Sequence, residues 1–436
     1  MISRILKARR GLIVLGLKGL EALIGATMTI VLARLLGPMQ FGVFAFGLAT
    51  ITLLVIPIKN GASTLVTKHV AIARQDSDPR LAGGLLVAGF RLSALYSGLL
   101  IAGLWVAVWL QPGSEAFLTS VACFSFALPF LCAIGLAEGV MRGSFRPNSA
   151  ILVGTILIPL LVLGLTIAFE SVSQFQNWRI ATGFYVASAA TTCFLSLFLI
   201  RNDLRGLAAK ASQMSDADWI AHVAPFALVT GLLVFNRQID VILLGILAGE
   251  AEAGIYRIAA QAAVLVTFGV QAIGHLYAPY LAAADGNSTS ENVSGYLRKS
   301  VLFSLGFGGS ALVGLTVWGE QIISILAGPE YLPGYPIMLI LCAANLAVAA
   351  NGATMQALYM QGHQRTTACI FAGAGVCSVI ANLTLIPLLG MTGAALATSG
   401  AIVLWSLGLR LLACRTWNLS FWAFSSRTLH TTPTSG

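Results

Sequence analysis

The sequence predicts an all-α polytopic membrane protein of twelve transmembrane helices, and three observations lead there. Hydrophobic residues make up 57% of the 436-residue chain and charged residues only 9%, with a mean hydropathy of +0.87. A water-soluble core cannot hide that much apolar surface. Twelve apolar stretches each reach the length of about 20 residues that crosses a hydrocarbon core of about 30 Å at 1.5 Å per residue. Lys and Arg residues gather in every second connection between those stretches, as expected where positively charged loops stay in the cytoplasm.

The first span, 12–34, follows the basic residues Arg4, Lys7, Arg9 and Arg10 of a cytoplasmic segment, 1–11. Its apolar run carries Lys18 and Glu21 and continues to Leu36 without a cleavage site, so it reads as a retained span rather than a signal peptide. Spans at 42–64, 82–109, 116–140, 149–169 and 180–200 complete a first lobe, 12–200. A polar cytoplasmic linker, 201–221, leads to spans at 222–247, 254–281, 300–319, 335–360, 366–388 and 392–413, a second lobe, 222–414. A Ser- and Thr-rich cytoplasmic tail, 415–436, ends the chain, and its composition predicts disorder. Eighteen Lys and Arg fall in the segments this order puts in the cytoplasm, against Arg34, Arg179 and Arg257 at outer ends, so both termini are predicted inside. Trp105, Trp109, Trp178, Trp318, Tyr331 and Tyr335 fall at outer ends and Trp219, Trp417 and Trp422 at inner ones, which predicts an aromatic belt on each face. Pro57, Pro129, Pro159, Pro225 and Pro387 lie in or near spans, where they can kink helices.

The two lobes echo each other. Gly37-Pro-Met-Gln-Phe-Gly42-Val-Phe44 follows the first span, and Gly249-Glu-Ala-Glu-Ala-Gly254-Ile-Tyr256 follows the seventh, with the same glycine spacing and the same aliphatic-aromatic ending. Met141-Arg-Gly143-Ser-Phe-Arg146 follows the fourth span, and Met360-Gln-Gly362-His-Gln-Arg365 follows the tenth. Both pairs stand six spans apart, which predicts a duplicated six-helix unit. Two such bundles in parallel orientation imply a pseudo-two-fold axis along the membrane normal, with a cavity between them.

Several function classes are disfavoured. The connections leave no room for an extramembrane catalytic domain, and basic residues sit singly at span ends rather than in a patch that would hold nucleic acid. The seven cysteines lie in or at the ends of apolar spans without CxxC spacing and read as small buried hydrophobes. The five histidines are scattered, and neither a phosphate loop nor an HExxH motif occurs. No cofactor, no metal and no catalytic residue are predicted.

Charges inside the spans are the informative exceptions, since an ionised side chain at mid-membrane costs roughly 2.5 to 3.5 kcal/mol on insertion scales. Lys18, Lys59, Arg91 and Arg237 are the basic residues left in apolar stretches, joined by the acids Glu21 and Asp240. Arg91, about 14 Å into the third span, and Asp240, equally far from the outer end of the seventh, are expected near mid-membrane, whereas Lys59 lies toward an inner end, where it can snorkel. Lys18 with Glu21 and Arg237 with Asp240 are each spaced three apart, so each pair shares one helical face. The pairs either neutralise themselves or face a wet cavity. In the second case Lys18, Lys59, Arg91 and Arg237 would bind an anionic head such as a diphosphate, and Glu21 and Asp240 would take up protons or cations. Glu138 and Glu320 lie close to interfaces and call for no special role. Gln261, Gln271, Asn345, Asn351, Gln356 and Asn382 can contact sugar hydroxyls or hydrogen-bond neighbouring helices.

Five stretches carry a family resemblance: Ala33-Arg-Leu-Leu-Gly-Pro-Met-Gln-Phe-Gly42, Asn236-Arg-Gln-Ile-Asp-Val-Ile-Leu-Leu-Gly245, Ala253-Gly-Ile-Tyr256, Gly328-Pro-Glu-Tyr331 and Asn382-Leu-Thr-Leu-Ile-Pro-Leu-Leu-Gly-Met-Thr-Gly-Ala-Ala395. From about residue 12 to 414 the chain resembles the polysaccharide transporter (Wzx-type) family, whose superfamily (MOP) also holds lipid II flippases and MATE drug exporters. The resemblance implies two six-helix bundles in a V shape, with a cationic cavity contacted by Lys18, Lys59 and Arg237. It implies a flippase that carries undecaprenyl-diphosphate-linked oligosaccharide across the bacterial inner membrane by alternating access, for surface polysaccharides such as O-antigen or exopolysaccharide. A polymerase and glycosyltransferases of the same pathway are its implied partners. Two alternatives stay open: a MATE-like exporter of small cationic drugs, which the positive balance of deep charge opposes, and a polytopic polysaccharide ligase or polymerase, which the short outer loops oppose.

Overall fold

The computed structural model describes residues 2–76, 80–111, 116–170, 177–209, 215–282 and 290–417. Lys210, Trp422, Arg427 and the tail beyond Trp417 lie outside them, as does the side chain of Gln271. In chain order the helices are α1 (Ile2–Leu54), a π-helical turn (Pro57–Ala62), α2 (Ser63–Asp76), α3 (Arg80–Leu110), α4 (Ala116–Ser125), α5 (Leu128–Gly143), α6 (Pro147–Ile151), a second π-helical turn (Leu152–Ile156), α7 (Leu157–Glu170), α8 (Trp178–Ala208), α9 (Asp216–Ala248), α10 (Glu250–Ala282), α11 (Ser290–Leu326), a 3-10 turn (Pro329–Gly334), α12 (Tyr335–Ala349), α13 (Thr354–Met360), α14 (Gln364–Leu389) and α15 (Met391–Trp417). The chain is an all-α multi-pass membrane protein.

Among the described residues ten helices are long and apolar enough to span a membrane, and α4 with α5, bent by 48°, raises the number to eleven. The sequence reading of twelve differs mainly at α1. Gly37 interrupts that element with φ 69° and ψ 169° and is followed by Pro38, so two helices merge across a kink within one element. Glycine reaches positive φ without a Cβ clash, and proline suits the first turn of the helix that follows. Pro57 opens the first π-helical turn, and Pro129 follows the α4–α5 bend, whereas Pro225 and Pro387 sit inside continuous helices.

Packing divides the chain into two compact units: Met1–Ile258 with Gln321–Gly334 and Asn382–Ala394, and Ala259–Glu320 with Tyr335–Ala381 and Ala395–Gly436. In the first, α2 and α8 pack on α5, while α9 packs on α1 and on the Pro57–Ala62 turn. In the second, Asn345 Nδ2 donates to the carbonyl of Ala263 on α10 at 3.4 Å, and Asn351 Nδ2 to that of Ser406 on α15 at 2.9 Å, the helix-bonding role of membrane amides.

The repeated glycine motifs touch each other inside the first unit. A Cβ added at Gly42 would lie 1.7 Å from the Glu250 carbonyl oxygen, and one at Gly254 would lie 2.2 Å from the Pro38 carbonyl oxygen. Pro38 and Glu250 are themselves equivalent positions of the repeat, so the contact is reciprocal. Gly249, the counterpart of Gly37, also has positive φ, 110°. The aromatic residues that close the motifs are buried, Phe44 at 1% and Tyr256 at 0% exposure. Beside this contact Tyr331 of the Gly-Pro-Glu-Tyr stretch donates its hydroxyl to the Ala33 carbonyl at 2.9 Å, and Glu252 Oε2 accepts from the Met391 N–H at 3.1 Å.

The second repeated motif diverges in use. The chain after α5 reverses through Phe145 at φ 58°, and the chain after α13 reverses through Gly362 at φ 82°, two repeat positions earlier. Gly143 serves packing instead, since a Cβ there would lie 2.7 Å from Val70 Cβ. Of the predicted belt aromatics, Trp105, Trp109 and Trp318 are exposed, but Trp178, Trp219, Tyr331 and Trp417 are buried in packing. Cys369 and Cys377, expected to be buried, are exposed on α14.

Gly42→Ala and Gly254→Ala should each lower thermal stability in detergent by about 1 to 3 kcal/mol, the range of overpacked sites. Both act on one contact, so the double variant should fall short of the sum. Additive losses in a melting series would show that the two glycines act separately.

Candidate functional site

The elements that carry the candidate charges all pack on α9. That helix contacts α1, the Pro57–Ala62 turn and α3, and holds Arg237 and Asp240 itself. Small residues permit the approach: a Cβ at Gly61 would lie 2.7 Å from Ala227 Cβ, and one at Gly135 of α5 would lie 2.5 Å from Lys59 Cα. The turn bearing Lys59 is thus wedged between α5 and α9.

Each predicted charge meets a different fate. Lys18 Nζ donates to Glu21 Oε2 at 2.6 Å, with side chains 34% and 27% exposed. Arg91 Nη2 donates to Asp216 Oδ1, and both side chains are about half exposed. Trp219, one turn further along α9, donates its Nε1–H to the Leu85 carbonyl at 3.1 Å. These contacts hold the Arg91 guanidinium level with the first turn of α9, not at mid-membrane as its residue count suggests. The physical reason is that helical side chains lean toward the N-terminus and a long guanidinium seeks the polar end, here in a helix of 31 residues.

Arg237 and Asp240 do not pair with each other. Asp240 is 5% exposed, and its Oδ2 accepts from the Tyr256 hydroxyl at 2.7 Å while its Oδ1 accepts from the Val241 N–H at 2.8 Å. Arg257 donates to Gln238 Oε1 at 3.1 Å nearby. Arg237 is exposed. Among the described residues neither Arg237 nor Lys59 makes an ion pair or a side-chain hydrogen bond. Two cations on two elements in direct contact are therefore left without a carboxylate.

Sequence reasoning missed Asp216, which it left in the linker, and Tyr256, whose hydroxyl partner lies a helix away. It also set Glu138 aside, yet Glu138 is 4% exposed and pairs with Arg142 one turn on. Gly154 makes room for it, since a Cβ there would lie 2.6 Å from the Glu138 carboxyl carbon. The signal was Arg142 itself, four residues later on the same face.

At the end of the unit that holds Asp216, His69 of α2 is pushed below its ordinary pKa by burial, then by Lys68 and His222. The His222 Nδ1 lies 2.6 Å from the Asp218 carbonyl oxygen.

Residues 8–284, more than half of the chain, match the family described as polysaccharide biosynthesis protein, and the chain belongs to that family. It is 22% identical over 375 residues to a Haloferax volcanii protein described as a probable low-salt glycan biosynthesis flippase, Agl15, covering 84% of this chain and 75% of that one. The fold is similar to that of a multidrug resistance MATE family transporter of the MOP superfamily in its inward-facing conformation, with TM-score 0.74, 13% identity, and coverage of 93% of this chain and 96% of the other. It is also similar to the lipid II flippase MurJ in an inward closed conformation, with TM-score 0.71, 11% identity, and coverage of 94% and 88%. The chain shares the fold of these two membrane proteins.

Tyr256→Phe should destabilise the protein by about 1 to 3 kcal/mol, because a buried carboxylate oxygen loses its donor, and the loss is read by thermal melting. Since the His69 pKa is lowered on folding, the folded state binds fewer protons than the unfolded, and the stability this gives is lost as pH falls below about 6.5. Melting temperature should drop between about pH 7 and pH 5, and His69→Gln should reduce that drop.

Proposed function

We propose that this protein flips a lipid-linked oligosaccharide, carried on undecaprenyl diphosphate, from the cytoplasmic to the outer leaflet of a bacterial inner membrane by alternating access. The observation that carries the reading is the pair of uncompensated cations, Arg237 on α9 and Lys59 on the turn packed against it. Charges held in apolar helices need a partner, water or a task, and a diphosphate supplies two anionic groups for a guanidinium fork and an ammonium. Membership of the polysaccharide family and similarity to a described glycan flippase support the same cargo class.

The finer architecture belongs to this proposal. Counting the helices on either side of Gly37 separately, and α4 with α5 as one span, brings the number to twelve, in two six-helix lobes at 12–200 and 222–414 with both termini cytoplasmic. The Gly42–Gly254 contact then lies at the periplasmic end and closes that face. Two of the similar solved structures are described as inward, with TM-scores of 0.74 and 0.71, against 0.58 for one described as outward-facing, which supports this reading. Opening outward separates the two glycines and exposes Arg237 and Lys59, with their cargo, to the other side. Lys18 and Arg91 would join once released from Glu21 and Asp216. Glu21, partly exposed, and Asp240, enclosed behind Tyr256, are the proposed carboxylates for proton or cation coupling. Wet surroundings favour Glu21.

The test is a cell in which this chain is the sole flippase of its pathway. Arg237→Gln and Lys59→Gln, each losing a charge-assisted bond of about 1.5 to 3 kcal/mol, should lower flux about tenfold or more. Lipid-linked intermediate should accumulate on the cytoplasmic leaflet, while membrane fractions hold normal amounts of protein. Undiminished surface polysaccharide from both variants together would remove the cationic path from consideration.

A further inference from the structure

We propose that Arg74, Arg146 and Asp203 form a binding site for the phosphate of a lipid anchored in the cytoplasmic leaflet, separate from the charges assigned above to the moving cargo. Three helices meet there. Asp203 on α8 accepts from Arg74 Nη2 of α2 through Oδ1 at 2.6 Å, and from Arg146, in the turn between α5 and α6, through Oδ2. Asp203 is 12% exposed, but Arg74 and Arg146 remain 48% and 43% exposed. One carboxylate thus holds two guanidinium groups side by side with a net positive charge, and each keeps most of its fork of N–H donors free for another oxyanion.

Beside the cluster lies a cavity of about 230 Å³, polar along Arg74, Asn202 and Asp203 and apolar along Val70, Ala73 and Leu207. A lining of that kind suits a phosphate ester on an apolar stem better than free phosphate. Location points the same way. Phe194, Phe198 and Leu199, within about three turns before Asp203 on α8, are exposed, as lipid-facing residues are. Arg201 stacks on Phe198 with its guanidinium carbon 4.2 Å from the ring centroid. The cluster therefore stands where apolar helix surface gives way to basic residues, which is the level of lipid phosphates. Stability alone explains it poorly, since exposed ion pairs contribute about 0 to 1 kcal/mol.

Two lipids share the required chemistry: an anionic phospholipid of the bilayer, and a polyprenyl diphosphate waiting at the cytoplasmic face. Native mass spectrometry of the detergent-purified chain with phosphatidylglycerol, phosphatidylcholine or undecaprenyl diphosphate separates them. Wild type should retain phosphatidylglycerol or the polyprenyl diphosphate about tenfold better than phosphatidylcholine, the preference that charge-assisted forks provide. If the polyprenyl lipid displaces phosphatidylglycerol at equal concentration, the site holds cargo; if it does not, the site holds bilayer phospholipid. Arg74→Gln with Arg146→Gln should erase the preference for phosphatidylglycerol, while Arg237→Gln should leave that preference intact. Asp203→Asn, which removes the competing carboxylate, should strengthen retention. Equal retention of the three lipids by wild type, or a preference unchanged in the double variant, overturns the proposal. If the double variant fails to fold, Arg74→Lys with Arg146→Lys keeps both charges without the forks and should lose most of the preference; full retention there also overturns it.

Discussion

Two helix backbones approach this closely where one of them presents a glycine without a Cβ, and this protein does so at two equivalent points facing each other. Gly42 lies on the Glu250 carbonyl and Gly254 on the Pro38 carbonyl. In a membrane, where apolar side chains gain little by leaving lipid, such close approach is a main source of helix association. The positive φ of Gly37 and Gly249 turns the chain just before each contact, so the same residue type supplies both the bend and the fit. The junction sets the start of α10 against α1, directly after α9 ends at Ala248.

With α9 in place, the charges of the apolar helices separate into two kinds. Asp240 is satisfied by Tyr256 and by its neighbouring N–H, Glu138 by Arg142, and Arg91 by Asp216. These residues are satisfied within the protein. Arg237 and Lys59 have no such partner among the described residues, and their cost in an apolar setting is offset only by water or by an anion. A transporter for an anionic head group needs that imbalance, because a cation already neutralised by the protein would have nothing to offer the cargo.

The Arg74–Asp203–Arg146 cluster applies the same rule at a helix end. There one acid serves two bases, which leaves a net positive charge on two guanidinium groups that are nearly half exposed.

Composition and periodicity were enough to define a multi-span helical membrane protein and its main breaks, because bilayer thickness imposes a length and an apolarity that any spanning helix must show. The glycine repeat was legible as spacing, which announced a duplicated unit. Sequence could not tell that the motifs face each other, nor that Gly143 packs on Val70 while its counterpart Gly362 turns the chain. The charged residues were legible as exceptions, yet their pairing was not. Residue count put Arg91 at mid-membrane and helical spacing put Asp240 beside Arg237, but Asp216 lies 125 positions from Arg91 and Tyr256 lies across a helix–helix contact. Local rules act within a few turns of one helix. Which charge is neutralised and which is left unpaired depends on neighbours distant in the chain, and only the packing of α9 against the first helices decided that.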